Sequence, residues 1–226
     1  MSSAASGIHK KIKTFSRAKK VEIALDAIQI LKELYPDALC SLQHADPYHL
    51  LVAVRLSAQC TDARVNQITP ALFEKYPDMA AMANADVTDV EKIIYSCGFY
   101  KSKASDIVRT AQILLNEYDG VLPSTLDELI RLPGVGRKTA NLICGDVFGK
   151  PAIVCDTHCI RITNRLGLTV GKDPYKVEMQ LWDIIPPDES NDFCHRLVLF
   201  GRDTCKARSP ECAMCQLASI CPKIGV

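Results

Sequence analysis

The sequence has 226 residues, of which 48% are hydrophobic and 23% charged, with a formal net charge of +1. These proportions exclude a disordered or collagen-like chain, and the length allows one large domain or two of about 100–150 residues. Because 27 basic residues balance 26 acidic ones, no global field advertises a polyanionic partner. The balance is local fiction, however. Residues 1–20 hold Lys10, Lys11, Lys13, Arg17, Lys19 and Lys20 without an acid, which leaves −5 on the remaining 206. That arm is either a solvated, frayed terminus or a phosphate-contacting element.

The periodicity is helical nearly throughout. Val21, Leu25, Ile28, Leu31 and Leu34 make one apolar stripe, closed by Pro36. Asp46-Pro47 pairs a capping residue with a first-turn proline and opens a helix to about Leu56. Thr61 or Asp62 can cap the next, which reaches Tyr76 before Pro77. A short helix near 78–83 follows, then one from Asp86 to Cys97-Gly98. Lys103–Tyr118 is helical up to Gly120. Ser124 and Asp127 resemble a weak capping box for a helix ending at Leu132-Pro133-Gly134. Arg137–Phe148 comes next, and Asp156 stands as N-cap before Thr157–Leu166. Pro174–Ile185 and Ser190–Gly201 complete the set. No alternating run is long enough to carry a sheet, since Ala152-Ile153-Val154 is too short. The expected class is all-α with short connections.

The eleven cysteines lie below the density of a disulfide scaffold, are odd in number, and sit in a chain too long to need staples. The opening MSSAASGIHKKIKTF lacks an apolar signal segment, and no apolar run approaches the ~18–20 residues of a membrane span. These features predict a reducing, intracellular compartment, with the scattered cysteines acting as small buried apolar residues. Four cysteines differ from the rest. Cys205, Cys212, Cys215 and Cys221 have the spacing C-x6-C-x2-C-x5-C within the last 22 residues. Four neighbouring thiolates without histidine suit zinc or an iron–sulfur cluster. Spacing leaves both open; the single C-x2-C pair favours the cluster, because zinc ribbons commonly use two.

Leu132-Pro133-Gly134-Val135-Gly136-Arg137-Lys138-Thr139 joins two helices. Its glycines permit a tight turn that exposes backbone N–H groups at a helix N-terminus, a geometry that binds phosphate. A bare αα connection is the plainer reading, and the motif is not a Walker A loop. Lys138 stands in a first helical turn, where the macrodipole disfavours a cation. If partly desolvated there, it becomes a usable amine nucleophile; otherwise it is another phosphate contact. Asp156, 18 residues on, reads alone as an N-cap. Paired with Lys138, it becomes the carboxylate partner of the amine.

Together these pieces resemble the endonuclease III family of DNA glycosylases and AP lyases. The resemblance rests on LPGVGRKTAN (132–141), CDTHCIRITNRLGL (155–168), the terminal cysteine spacing, LSAQCTD (56–62) and GFYKSKA (98–104), and covers the chain from about residue 20. It implies a six-helix barrel with a helix–hairpin–helix over 40–150. It also implies an iron–sulfur domain of 1–39 and 151–226, with a DNA groove between the two. It implies a [4Fe–4S] cluster on the four cysteines. It further implies a monomeric base-excision-repair enzyme that removes an oxidised pyrimidine flipped from duplex DNA. In that chemistry Lys138 attacks C1′, forms a Schiff base, and the strand is cut by β-elimination. Asp156 stabilises the charge developing on the sugar and assists in forming the neutral amine.

The same resemblance assigns Leu132, Gly134, Val135, Gly136 and Arg137 to the DNA backbone. Gln59 would fill the gap left by the base, Phe99 would wedge the opposite strand, and Asp62 would lie near the pocket. Without it, Gln59 reads as a polar helix end and Phe99 as a core aromatic. Cys60, Cys155 and Cys159 depart from the family pattern. They are either apolar substitutes or, beside Asp156, an oxidisable position. A rival adenine or mismatch thymine glycosylase of this superfamily would lack Lys138. A non-catalytic DNA-binding module would use the hairpin and basic arm alone, and a redox carrier the cluster alone. The short N-terminus suits a prokaryotic, nucleoid-associated protein of the cytoplasm, although the basic arm would also suit a nuclear signal.

Overall fold

The structure is a computed structural model that describes residues 15–226. Lys10, Lys11 and Lys13 of the basic arm lie outside the described residues. Eleven α-helices follow in chain order among those described: α1 (Arg17–Leu34), α2 (Pro47–Ser57), α3 (Asp62–Lys75), α4 (Met79–Ala83), α5 (Val87–Ile94), α6 (Tyr100–Glu117), α7 (Leu126–Leu129), α8 (Arg137–Asp146), α9 (Thr157–Arg165), α10 (Pro174–Trp182) and α11 (Ser190–Asp203). No strand occurs among the described residues, so the all-α expectation holds.

The starts of these helices follow local chemistry. Ser16, Asp46, Thr61, Asp78, Asp86, Thr125, Asp156 and Asp173 each accept a backbone N–H two or three residues on. Such a bond satisfies one of the orphan donors of a first turn. Three boundaries depart from the sequence reading. Helix α1 begins at Arg17 under the Ser16 cap, so the end of the basic arm is helical, and Arg17 pairs with Asp183 at 3.0 Å. Helix α6 begins three residues early, because Phe99 adopts a left-handed backbone and returns the chain to helix at Tyr100. The cap of α7 is Thr125, paired with Glu128; Ser124 instead accepts the Lys150 ammonium.

The apolar faces close around two separate cores. One is built only from residues between Leu42 and Ala152, with α2 at its centre. Leu50, Leu51 and Leu56 of α2 are essentially inaccessible to water, which stabilises the fold by about 1.5–3 kcal/mol per side chain as an upper estimate. The other core joins Ile23, Ala24, Ala27, Ile28 and Leu31 of α1 to residues 153–217. The N-terminal helix is thus a partner of the C-terminal half: α1 packs on α11, and Arg196 donates to the Tyr35 carbonyl at 3.1 Å. Leu142 of α8 touches both cores. Arg202 of α11 also reaches across to Asp62 of α3 at 3.0 Å.

Candidate active site

Where the two cores meet, a cavity of about 350 Å³ opens. Helix α8 contributes Lys138 and Thr139, Asp156 stands just before α9, the turn between α2 and α3 contributes Gln59 and Cys60, and α3 contributes Asp62. Helix α11 adds Cys194, His195 and Arg202. Residues up to 163 positions apart in sequence, from Leu39 to Arg202, therefore face one space.

The hairpin before α8 is shaped by Gly134. Its φ is +70°, and a Cβ there would stand 2.2 Å from Nε of Arg55, which is ion-paired to Asp106 at 2.6 Å. Only glycine fits this turn against that pair. Helix α8 then starts at Gly136 with no side-chain cap, so its first N–H groups stay open to an anion. Gly134 and Gly136 are exposed, as a backbone contact requires. Leu132 and Val135 bury their side chains in the first core, so their share in any contact comes from the main chain.

Two expectations need correction. Lys138 is exposed rather than partly desolvated, because the N-terminus of α8 stands at the open mouth of the cavity. Arg137 does not offer a free guanidinium to a phosphate. Its Nε and Nη2 each donate to Glu178 at 2.7 Å, and it stacks on Tyr175 at 4.8 Å. Glu178 is nearly buried, and a buried carboxylate requires such a partner.

Asp156 is both cap and site residue. Its Oδ1 accepts the Cys159 N–H at 2.7 Å, while Oδ2 faces Nδ1 of His158 at 3.1 Å. Burial pushes its carboxyl up. The His158 bond, the Cys159 N–H and the charges of His158 and Lys138 more than reverse this, so it lies below the ordinary range. Cys155 and Cys159 sit behind it with their sulfurs 4.0 Å apart, and Cys194 Sγ accepts the Val154 N–H at 3.3 Å. All three belong to the second core. Contact with Cys155 and Cys194, with burial, drives the Cys159 thiol well up, which keeps it an unreactive apolar group.

Gln59 and Phe99 share an uncommon backbone. Both have positive φ, 55° and 47°, and both are exposed. Left-handed backbone at residues other than glycine costs energy and concentrates at functional sites. A residue the sequence reading passed over holds these two turns. Lys103 is 1% exposed, and its Nζ donates to the carbonyls of Leu56 at 2.9 Å and Cys97 at 2.7 Å. One buried ammonium thereby ties the end of α2, which leads to Gln59, to the turn leading to Phe99. Desolvation lowers its pKa. The signal in the sequence is only a lysine on the apolar face of α6. Asp62 accepts from Ser41 and Arg202 at the rim of the cavity. His195 and its partner Asp146 were also missed, since 49 residues separate them.

At the far end, Cys205, Cys212, Cys215 and Cys221 line one small cavity with Arg165, Phe200 and Leu217. Arg165 donates to Cys205 Sγ at 3.2 Å, and the Lys223 N–H to Cys221 Sγ at 3.4 Å. Among the described residues, no three of His, Cys, Asp and Glu form a group compact enough for a metal ion. No helix among them is long and apolar enough to cross a membrane.

Comparison with known proteins gives these features a context. A family model described as HhH-GPD superfamily base excision DNA repair protein matches residues 52–187. Endonuclease III of a Synechocystis strain is 46% identical over 206 residues, covering 91% of this chain and 94% of that protein. Endonuclease III of Bacillus subtilis is 43% identical, with 90% and 92% covered. A solved structure of a trapped endonuclease III–DNA covalent intermediate matches with a TM-score of 0.84 and 41% identity, covering 92% of this chain and 97% of that one. The groove, the open helix terminus and the cap aspartate thus belong to a chain of known lineage: it is a member of the endonuclease III family within the HhH-GPD superfamily.

Proposed function

We propose that the chain is a bifunctional DNA glycosylase and AP lyase of base excision repair, acting on duplex DNA that carries an oxidised pyrimidine or an abasic site. The observation that carries this reading is the meeting of Lys138, Asp156, Gln59 and Asp62 around one cavity beside an uncapped helix terminus. The cores of residues 42–152 and of the two terminal regions are read as two domains, with the DNA groove between them.

The surroundings of each residue support the role that the family resemblance implies for it. The exposed N–H groups after Gly136 hold a backbone phosphate, and the exposed Lys138 amine reaches the sugar of an extruded nucleotide. Its attack on C1′ expels the base and leaves an imine, which permits loss of the 3′ phosphate. Asp156, ionised through the neutral range, stabilises positive charge on the sugar. Its depressed pKa makes it a weak base, so helping to form the neutral amine is its lesser role. Gln59 and Phe99 stand on exposed left-handed turns braced by Lys103, Gln59 to fill the gap left by the extruded base and Phe99 to wedge the opposite strand. Lys138 in the groove disfavours the adenine and mismatch thymine alternatives.

The four cysteines form an all-thiol donor set fitted to a [4Fe–4S] cluster. The set contains no histidine and lines one cavity, which suits a cluster held by four thiolates. A cluster there would fix the 205–221 loop and supply electron exchange. Anaerobic preparation should yield about four irons per chain. Lack of iron and acid-labile sulfide would remove this assignment. Action on chromosomal DNA as a cytoplasmic monomer completes the reading.

Borohydride trapping tests the activity. Wild-type protein mixed with thymine-glycol duplex should give a covalent adduct and a 3′-side cut, and Lys138→Gln should give neither. Equal trapping by that variant would show that the nucleophile lies elsewhere.

A further inference from the structure

The reaction above leaves one proton without an acceptor, the one lost from C2′ during elimination. We propose that His195, held by Asp146, takes it. The inference rests on Lys138 forming the imine.

Helix α11 crosses α8 very closely. A Cβ on Gly145 would stand 2.2 Å from Oδ1 of Asn191, so the glycine leaves the space that this side chain fills. The approach brings two side chains of α11 onto one carboxylate oxygen of α8. Asn191 Nδ2 donates to Asp146 Oδ1 at 2.8 Å, and Nε2 of His195 meets the same atom at 2.7 Å. The other oxygen, Oδ2, is buried without a partner. Among the described residues, His195 is the sole basic side chain bonded to this nearly buried carboxylate. A carboxylate only accepts, so the bond fixes the ring proton on Nε2 and leaves the lone pair on Nδ1. Nδ1 has no hydrogen bond among the described residues, and His195 lines the cavity that holds Lys138 and Asp156. A carboxylate that orients an imidazole and stabilises its protonated form is the arrangement other acid–base dyads use.

The remaining groups around the cavity are committed elsewhere. Lys138 is consumed as the imine. Asp156 binds the Cys159 N–H and His158, and is a weak base. Asp62 is held at the rim through Oδ2, which takes both the Arg202 guanidinium and the Ser41 hydroxyl. Burial pushes the Cys40 thiol up to about 11, Cys60 lies beside the Cys97 thiol, and Cys194 accepts the Val154 N–H. His195 Nδ1 is the one imidazole lone pair on this cavity, and it is the one backed by a nearly buried carboxylate.

The step balances. The iminium between C1′ and Lys138 acidifies C2′–H, and Nδ1 takes that proton. The C–H electron pair forms the new C2′–C3′ double bond as the C3′–O bond breaks. The 3′ phosphate leaves with that bond's electrons. The imidazolium is held against Asp146 and later returns its proton to water.

The experiment separates imine formation from elimination, using full-length protein and an abasic-site duplex under single turnover. For His195→Gln, borohydride-trapped adduct should form within about threefold of the wild-type rate. Strand cleavage should slow about 100-fold and recover in part with free imidazole. Asp146→Asn, which spoils the tautomer, should slow cleavage about tenfold or more with trapping retained. It carries the test alone if His195→Gln does not fold. A 2′-deuterated sugar should slow cleavage, and more so in these variants. Cleavage within threefold of wild type, or falling in step with trapping, overturns the assignment. If wild-type protein forms no adduct at all, the Lys138 reading fails first and this inference with it.

Discussion

Helices α8 and α9 point their N-termini at the same cavity and treat them in opposite ways. Helix α9 is closed by its own anion: the Asp156 carboxylate accepts the Cys159 N–H and lies over the positive end of the helix. Helix α8 starts at Gly136 without a side-chain cap and follows with Lys138, a cation where the macrodipole disfavours one. One terminus is complete within the protein, and the other is left to be completed by a ligand anion. The same orphan N–H groups thus serve to fix a catalytic carboxylate in one helix and to receive a phosphate in the next. Stability is forgone at α8 in exchange for binding.

The comparison can be broken most severely at Asp156. Asparagine caps helices as well as aspartate does, so Asp156→Asn should keep stability within about 0.5 kcal/mol and lower single-turnover base excision about 100-fold or more. Asp156→Ala should lose that activity and, in addition, about 1 kcal/mol of stability in urea unfolding. Similar activity in the asparagine variant would reduce Asp156 to a cap.

A smaller effect comes from making α8 resemble α9. A Cβ at Gly136 meets nothing within 4 Å, and its backbone is extended, so Gly136→Asp is sterically accepted. The new cap should raise stability by a few tenths of a kcal/mol. It should also weaken binding to abasic-site DNA about tenfold and flatten the slope of log K against log salt by about 0.9, as one phosphate contact is lost. Unchanged affinity and slope would mean that no phosphate sits at this terminus.

The smallest effect is in pH. The folded Asp156 carboxyl lies below its ordinary value. Its contribution to stability is therefore complete above about pH 4, where the unfolded carboxyl is ionised. It fades as pH falls through the lower folded value. The stability difference between wild type and Asp156→Asn should shrink below pH 4, and a difference that stays flat there would contradict the assigned shift.

How much of this was legible beforehand depends on range. Asp46 and Asp156 read as caps, and Thr61 as one of two candidates, because a cap is a bond to an N–H two or three residues away, visible in a short window. Thr125 was missed by one residue, since Ser124 and Thr125 are equally good caps and only the path of the chain chooses between them. The four terminal cysteines and the Gly134–Lys138 turn were visible as patterns. Arg137 was misread because its partner Glu178 lies 41 residues away. Lys103 and the His195–Asp146 pair left no pattern at all.

The sequence by itself determined what local bonds and periodicity determine: eleven helices, some of their caps, the turn between α7 and α8, and the lineage that follows from those motifs. The tertiary structure alone decided which of those ends share a cavity. It left Lys138 exposed, bound Arg137 to Glu178, and placed His195 against Asp146. The physical reason is that a cap is satisfied within one turn, whereas burial and ion pairing depend on which distant helix arrives. Here that is set by apolar faces closing two cores and by Gly145, which leaves room on α8 for Asn191 of α11.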